Sequence, residues 1–600
     1  MAASHGAFIC ALSILLVAPA ASAQERQQII ISGEPGDGPM PFPGMGPRQF
    51  KTGTARIRGR VVAADTGAGL RRVQVRIAGP DVAPKMTMTD AEGQFEFRDL
   101  PAGRFNVSSS KSGYVSVQYG QTRPFESGKP IELADGQLVG KADIAMPRGS
   151  VISGRVLDEA GDAVTDATVS AMRSAWVNGR RRLQPTGRTG LTNDLGQFRL
   201  YGLPPGDYFV SATLRDMAMM EMNFAAMSPG APVPGSPPST GYAPTYFPGT
   251  ANGADAQKIT IASGQDAHNT DFALLPVRLS KITGVVISSE GKPVEGTMIN
   301  AIPRSADMAF GPMLGSSTRS GPNGSFTLNG VAPGDYTLQT RSLRIMTSGS
   351  GDMMTFAART GGPGDESETG HLPLSVGGED LSNVVIMTSK GATATGQVTF
   401  EGGTKPASLP TLRITASPVL MDGPMMGPGG GPAAVGPDGS FTLRGLSGLR
   451  IVRPVPAPQG WMLKEVRVNG ADVTDSGIEF KPGEAVAGLE VVLTSKVTQV
   501  AGVVKTATGA PVQDYTVVVF PDDPQRWSLS NNRHVAGVRP DQDGRFQVRN
   551  LPAGRYYAVA AEYLAQGEWG DPEVLDRLKA RATSFTLKDG ESKTLDLTMR

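Results

Sequence analysis

The sequence predicts an all-β protein: a tandem array of about five β-sandwich units, with one short helix near the C-terminus. Three observations carry that prediction. A nineteen-residue motif recurs along the chain, strands of alternating hydropathy flank each copy at matching distances, and Gly and Pro fall at turn positions.

The motif reads TDAEGQFEFRDLPAGRFNV from Thr89 and TNDLGQFRLYGLPPGDYFV from Thr192. It returns as SGPNGSFTLNGVAPGDYTL from Ser320 and PDQDGRFQVRNLPAGRYYA from Pro540, with a degraded copy, VGPDGSFTLRGLSGLRIVR, from Val435. Asp or Asn shortly before Gly93, Gly196, Gly324, Gly439 and Gly544 favours a tight turn in which Gly takes a positive φ. Alternating apolar positions follow, such as Phe95/Phe97, Phe326/Leu328 and Phe546/Val548, so one face of a strand is buried. Leu-Pro-x-Gly makes the next turn, and a second strand carries Phe105/Val107, Tyr208/Val210 or Tyr336/Leu338. In the degraded copy Leu449 stands in place of the Gly and Ile451 in place of the aromatic residue, which predicts an altered turn.

Upstream of the copies lie strand–turn segments: IRGRVVAADTGAGLRRVQV from Ile57, VISGRVLDEAGDAVTDATV from Val151, ITGVVISSEGKPVEGTMI from Ile282 and VAGVVKTATGAPVQDYTV from Val500. Downstream, a Gly precedes a last alternating strand, as in Gly136 to Met146 and Gly483 to Leu493. These signals place the units at 53–148, 149–277, 278–390, 391–496 and 497–600, after a Gly/Pro-rich leader over 24–52. A period near a hundred residues lets each unit close its own core, so the expected arrangement is beads on a string. Inserts after Val210, over Ser348–Gly370 and from Met421 read as long loops at one end of a sandwich. DPEVLDRLKARA, Asp571 to Ala582, predicts the helix, with Asp as N-cap and Pro at its first position.

Residues 1–23 read as a signal peptide: an apolar run from Ala7 to Val17 leads to Ala21-Ser22-Ala23, a small-residue cleavage pattern. The n-region departs from that pattern, carrying His5 and no Lys or Arg. The single cysteine, Cys10, lies inside the apolar run, so the processed chain would have no thiol for a disulfide, a thiolate metal site or a nucleophile. No later run is long and apolar enough for a membrane helix. The expected address is therefore outside the cytoplasm: periplasmic, cell-surface or extracellular. Lys and Arg number 57 against 56 Asp and Glu, a balance that gives nucleic acid no electrostatic footprint.

The pattern G-x-V…G-x-P-V…T-D-x-x-G-x-F-x-F…L-P-x-G-x-Y resembles the carboxypeptidase regulatory-like domain. It is carried here by Gly284-Val285-Val286, Gly291-Lys292-Pro293-Val294, Gly324-Ser325-Phe326 and Pro333-Gly334-Asp335-Tyr336, with parallels in the other units. The resemblance implies a prealbumin-like, seven-stranded sandwich related to starch-binding and collagen-adhesin B-type domains. It implies an accessory, adhesive or ligand-binding module and is nearly silent about activity. The first strands GRVV, GRVL, GVVI, GQVT and GVVK share no Lys in a common place, so the Lys–Asn isopeptide bond of the adhesin relatives is not expected. The chain ends Leu597-Thr598-Met599-Arg600, without the Tyr-Arg-Gly-Ser of prealbumin-like hydrolases.

A search for chemistry returns little. His268, His371 and His534 fall in different units and read as surface or loop residues. No H-x-x-E, H-E-x-x-H, G-x-S-x-G or Walker loop occurs. Asp541-Gln542-Asp543-Gly544 has alternating carboxylates but no EF-hand Glu, and reads as a hairpin turn. Trp176 and Trp527, each in a polar stretch between strands, are the candidates for stacking on a sugar ring; Trp461 and Trp569 read as structural. Met217, Met219, Met220 and Met222, with Met421, Met425 and Met426, offer soft thioethers to Cu(I), although flexible apolar packing explains them more simply. No cofactor is expected. The sequence thus predicts a non-enzymatic, exported protein for binding, adhesion or scaffolding, with a carbohydrate or an envelope protein as partner. The alternative is an accessory subunit of a separate envelope enzyme or transporter, and Cu(I) handling comes third.

Overall fold

In all five motif copies one glycine of the first strand lies directly opposite the motif phenylalanine. The cross-strand partners are Gly59↔Phe95, Gly154↔Phe198, Gly284↔Phe326, Gly396↔Phe441 and Gly502↔Phe546. A Cβ on any of these glycines would fall 1.9–2.2 Å from a carbonyl oxygen on the unit's last strand or on the segment just before it. That is inside the closest approach of any real side chain, so only Gly fits, and in four copies the Phe ring covers the space left.

The structure is a computed structural model. It describes residues 50–599 except 80–81, 178–179, 215–239, 305–315, 342, 349–354, 361–367, 404–405, 407–408 and 420–430. The methionine clusters at 217–222 and 421–426, the expected signal segment and the leader up to residue 49 lie outside the described residues, as does most of the long insert after Val210.

The sheets fall into five sets, spanning 55–146, 150–278, 280–389, 392–494 and 499–598, and no described strand pairs across from one set to the next. We call these sets units one to five. Within the first, Ala55–Ala63 runs antiparallel to Gln94–Leu100 and parallel to Ile144–Met146, while Gln74–Gly79 and Gly103–Ser110 form the facing sheet with Val82–Met88 and Ile131–Leu133. Unit five repeats this plan, with Val504↔Leu597 as its parallel closure. In unit three the two layers join at one edge through Gly370↔Thr388, giving a single seven-stranded sheet. Within its insert, expected as loop, Thr355–Thr360 is a strand that pairs with Leu343–Ser348, which leads into the insert.

The alternation predicted from sequence places Phe95, Phe97, Phe105 and Val107 in one buried core, and Phe546, Val548 and Tyr556 in another. The motif glycines take φ between 69° and 92°, as the turn requires. Asp90 Oδ1 accepts from the backbone N–H of Glu92 and Gln94, and Asn193 and Asp541 repeat the arrangement. The Asp541 carboxylate is thus engaged in its own hairpin turn. The helix spans Pro572–Lys579, shorter at its C-terminal end than expected, with Asp571 accepting from Glu573 N at 2.9 Å. No helix among the described residues is long and apolar enough to cross a membrane.

Beads on a string is not what the structure shows. A loop of unit one between Val117–Gln118 and Ile131–Leu133 reaches unit five, about 400 positions further along the chain.

Candidate functional site

The second strand of the motif carries a hydroxyl with one local job. Tyr208, Tyr336 and Tyr556 donate to the carbonyls of Pro204, Ala332 and Pro552, four residues upstream, at 2.7, 2.9 and 2.8 Å. Each bond ties the Leu-Pro-x-Gly turn to the strand that leaves it. Burial raises all three phenols, that of Tyr336 to about 12. In unit four, where Ile451 has no hydroxyl, Arg450 Nε donates to the equivalent carbonyl of Ser447 at 2.9 Å and its Nη1 to Ala416 O at 2.9 Å. The altered turn expected there is present: Gly448 takes φ 68°, whereas Gly103, Gly206 and Gly334 take 152–155° one position later in the motif.

The model of the carboxypeptidase regulatory-like domain matches residues 56–146 and 499–600. The two matched stretches coincide with units one and five. Units two and four are likewise built of two layers, whereas in unit three the layers merge into one sheet. Solved structures similar to the chain include a streptococcal ancillary pilin, 13% identical over 56% of this chain and 99% of that one, with a TM-score of 0.20. A minor pilin of Streptococcus agalactiae is 10% identical over 37% of this chain and 95% of that one, at 0.19. A putative carbohydrate binding protein of Pseudomonas aeruginosa is 14% identical over 18% of this chain and 89% of that one, at 0.13. No curated protein matches the chain.

The two tryptophans named from sequence lie apart. Trp527 is 5% exposed, packs edge-on against Phe520 at 5.6 Å, and donates its indole N–H to Pro521 O at 2.8 Å. It leaves no ring face for a sugar. The polarity of PDDPQRWSLSNN reflects the loop around the ring, and the ring itself is core. Trp176 is half-buried on the Thr168–Val177 strand, beside Gly570, and its Nε1 has no partner among the described residues. Its cross-strand neighbour Arg181 reaches Asp571 at 3.5 Å, so this hairpin of unit two abuts the helix start in unit five. Trp461 is core, 5.0 Å edge-on from Phe400, and Trp569 packs on Gly537.

His534, expected at the surface, is 1% exposed. Its Nε2 lies 2.8 Å from Asp475 Oδ2 of unit four, and Arg533 reaches the same carboxylate at 2.9 and 3.1 Å. Burial alone would raise the Asp475 pKa, but the hydrogen bonds from His534 and Arg533 outweigh it and hold the carboxyl well below the usual range. A shallow cavity of about 380 Å³ nearby is lined by Asp522, Asp523, Arg526, Arg555 and Tyr556 among others. Its charges are paired across it, Arg555 with Asp522 at 2.6 Å and Arg526 with Asp523 at 3.4 Å. Among the described residues no three His, Cys, Asp or Glu side chains converge as a metal site.

Sequence reasoning missed the joint between units one and five altogether. Arg539 and Glu126, each 3% exposed, form a buried ion pair, and Arg539 Nη2 also contacts Gly120 O at 3.0 Å and the Asp514 carboxylate. Thr122 donates to Asp514 at 2.8 Å and Lys129 to Gln513 O at 2.6 Å. The Gln542 side-chain amide pairs with both backbone groups of Glu132 at 2.9 Å, as a neighbouring strand would. Phe125 fills the space between units. Arg173 of unit two stacks 3.2 Å from its ring, Tyr208 meets it edge-on at 6.2 Å, and its carbonyl accepts from Gln566 N of unit five at 2.8 Å.

Proposed function

We propose that the chain is an exported, non-enzymatic protein of five β-sandwich domains, with boundaries near 53–148, 149–277, 278–390, 391–496 and 497–600, acting in binding, adhesion or scaffolding. One observation supports this above the others: the polar groups of the repeated motif are engaged in their own turns. The tyrosine hydroxyls hold carbonyls four residues away and the Asx carboxylates hold turn amides, so the repeat builds architecture and leaves recognition to loops. The partner is a carbohydrate or an envelope protein. Two places suit a polyhydroxylated ligand: the half-buried Trp176, and the Asp522/Arg555 cavity, whose paired charges can bond vicinal hydroxyls.

The test is a glycan-array screen of the protein, with Trp176→Ala and Asp522→Ala/Arg555→Ala beside it. Binding lost in either variant identifies the ligand class and its site. Binding unchanged in both keeps the class and removes these sites. No binding, together with co-purification of an envelope protein, moves the reading to a protein partner.

A further inference from the structure

The unit one loop, Tyr119 to Pro130, meets a surface on unit five that complements it group for group. Arg539 takes the Glu126 carboxylate and the Gly120 carbonyl, Glu562 takes Arg123, and Gln513 O with Asp514 takes Lys129. Tyr563 donates to Pro124 O at 2.8 Å. Such an interface is selective more than it is strong, because any other occupant leaves a buried guanidinium facing Asp514 alone. Its polar character is that of separable partners and not of a single core.

Phe125, a bulky residue, sits at φ 59°, in the left-handed region that disfavours it. At this residue the ring lies against Arg173 and Tyr208 of unit two while the carbonyl accepts from Gln566 of unit five. Release of the loop relieves that strain, so the closed chain is poised against opening.

We propose that the unit five surface around Arg539 is a docking site for the Tyr119–Pro130 loop of a second copy of this chain, occupied in cis when the chain is closed and in trans when it opens, giving swapped assemblies. Within one chain the loop and its site are tethered, and effective concentration favours closure. A lesion that disables one half of the joint leaves the other half vacant and able to take a partner copy.

The experiment uses two full-length variants. Phe125→Ala/Glu126→Ala disables the loop and keeps the surface; Asp514→Ala/Arg539→Ala disables the surface and keeps the loop. Wild type is expected as a compact monomer in sedimentation and small-angle scattering. Each variant alone is expected as a monomer with a larger radius of gyration, and their mixture as a 1:1 complex of doubled mass. A mixture that stays monomeric while both variants keep the wild-type circular dichroism overturns the proposal, as does a wild type already as extended as the variants. Should either buried-site variant fail to fold, Arg123→Ala/Lys129→Ala and Gln542→Ala/Glu562→Ala test the same joint through its outer contacts, with the same two outcomes deciding.

Discussion

Units two, three and five close the turn before the second strand of the motif with a tyrosine hydroxyl, whereas unit four closes it with an arginine. In the first group the phenol lies in the core and its tip reaches the carbonyl four residues back. In unit four Ile451 keeps the buried position, and Arg450, on the neighbouring position, turns its guanidinium to the equivalent carbonyl. Unit one has Phe105 there and no hydroxyl at all. The glycine–phenylalanine pairing, by contrast, is present in every unit. Steric exclusion by a carbonyl oxygen admits one solution. An unsatisfied buried carbonyl admits any donor that reaches it.

The largest effect is expected where no alternative exists. Gly284→Ala puts a Cβ 1.9 Å from Val384 O and should cost more than about 4 kcal/mol, read as loss of hydrogen-exchange protection throughout unit three. Protection left intact there would show that the strand can shift to accept a side chain. Arg450→Ala should cost about 2–4 kcal/mol, since it strands the carbonyls of Ser447 and Ala416, with exchange rising in unit four first. A cost near zero would make the arginine an ornament of a turn that stands without it.

Alkaline pH should separate the two solutions. The Tyr336 phenol, raised by burial to about 12 from an ordinary value near 10, contributes stability that is complete below about pH 10 and lost as pH rises through 12. That difference corresponds to about 3 kcal/mol. Absorbance of ionised tyrosine should therefore appear together with loss of structure in units two, three and five. Trp461 emission, in a variant with Trp176, Trp527 and Trp569 replaced by Phe, should hold in unit four beyond that point. Simultaneous loss in all units would break the distinction. The smallest effect belongs to Tyr556→Phe, about 1 kcal/mol, detectable as a shift of the denaturation midpoint with an unchanged slope.

Much of the fold was legible in the sequence because its signals are local. A positive-φ glycine after Asp or Asn, a period of two, and a helix cap each act within a few residues, and Gly93, Phe95/Phe97 and Asp571 are where such rules place them. The joints were not legible. Glu126, Asp475, His534 and Arg539 look like solvated loop residues in one dimension, and they are buried or paired only because chain segments far apart in sequence meet. Trp527 shows the converse, an aromatic side chain in polar surroundings along the chain and apolar ones in space.

The parallel pairing of first and last strands, Val61↔Ile144 in unit one and Val504↔Leu597 in unit five, has a mechanical consequence. Parallel neighbours send the chain in at one end of a unit and out at the other. Tension applied to those two ends pulls the paired strands past each other, so it falls on the closing hydrogen bonds together and not on one at a time. A chain of such units resists stretching through the same strands that define where each one begins and ends.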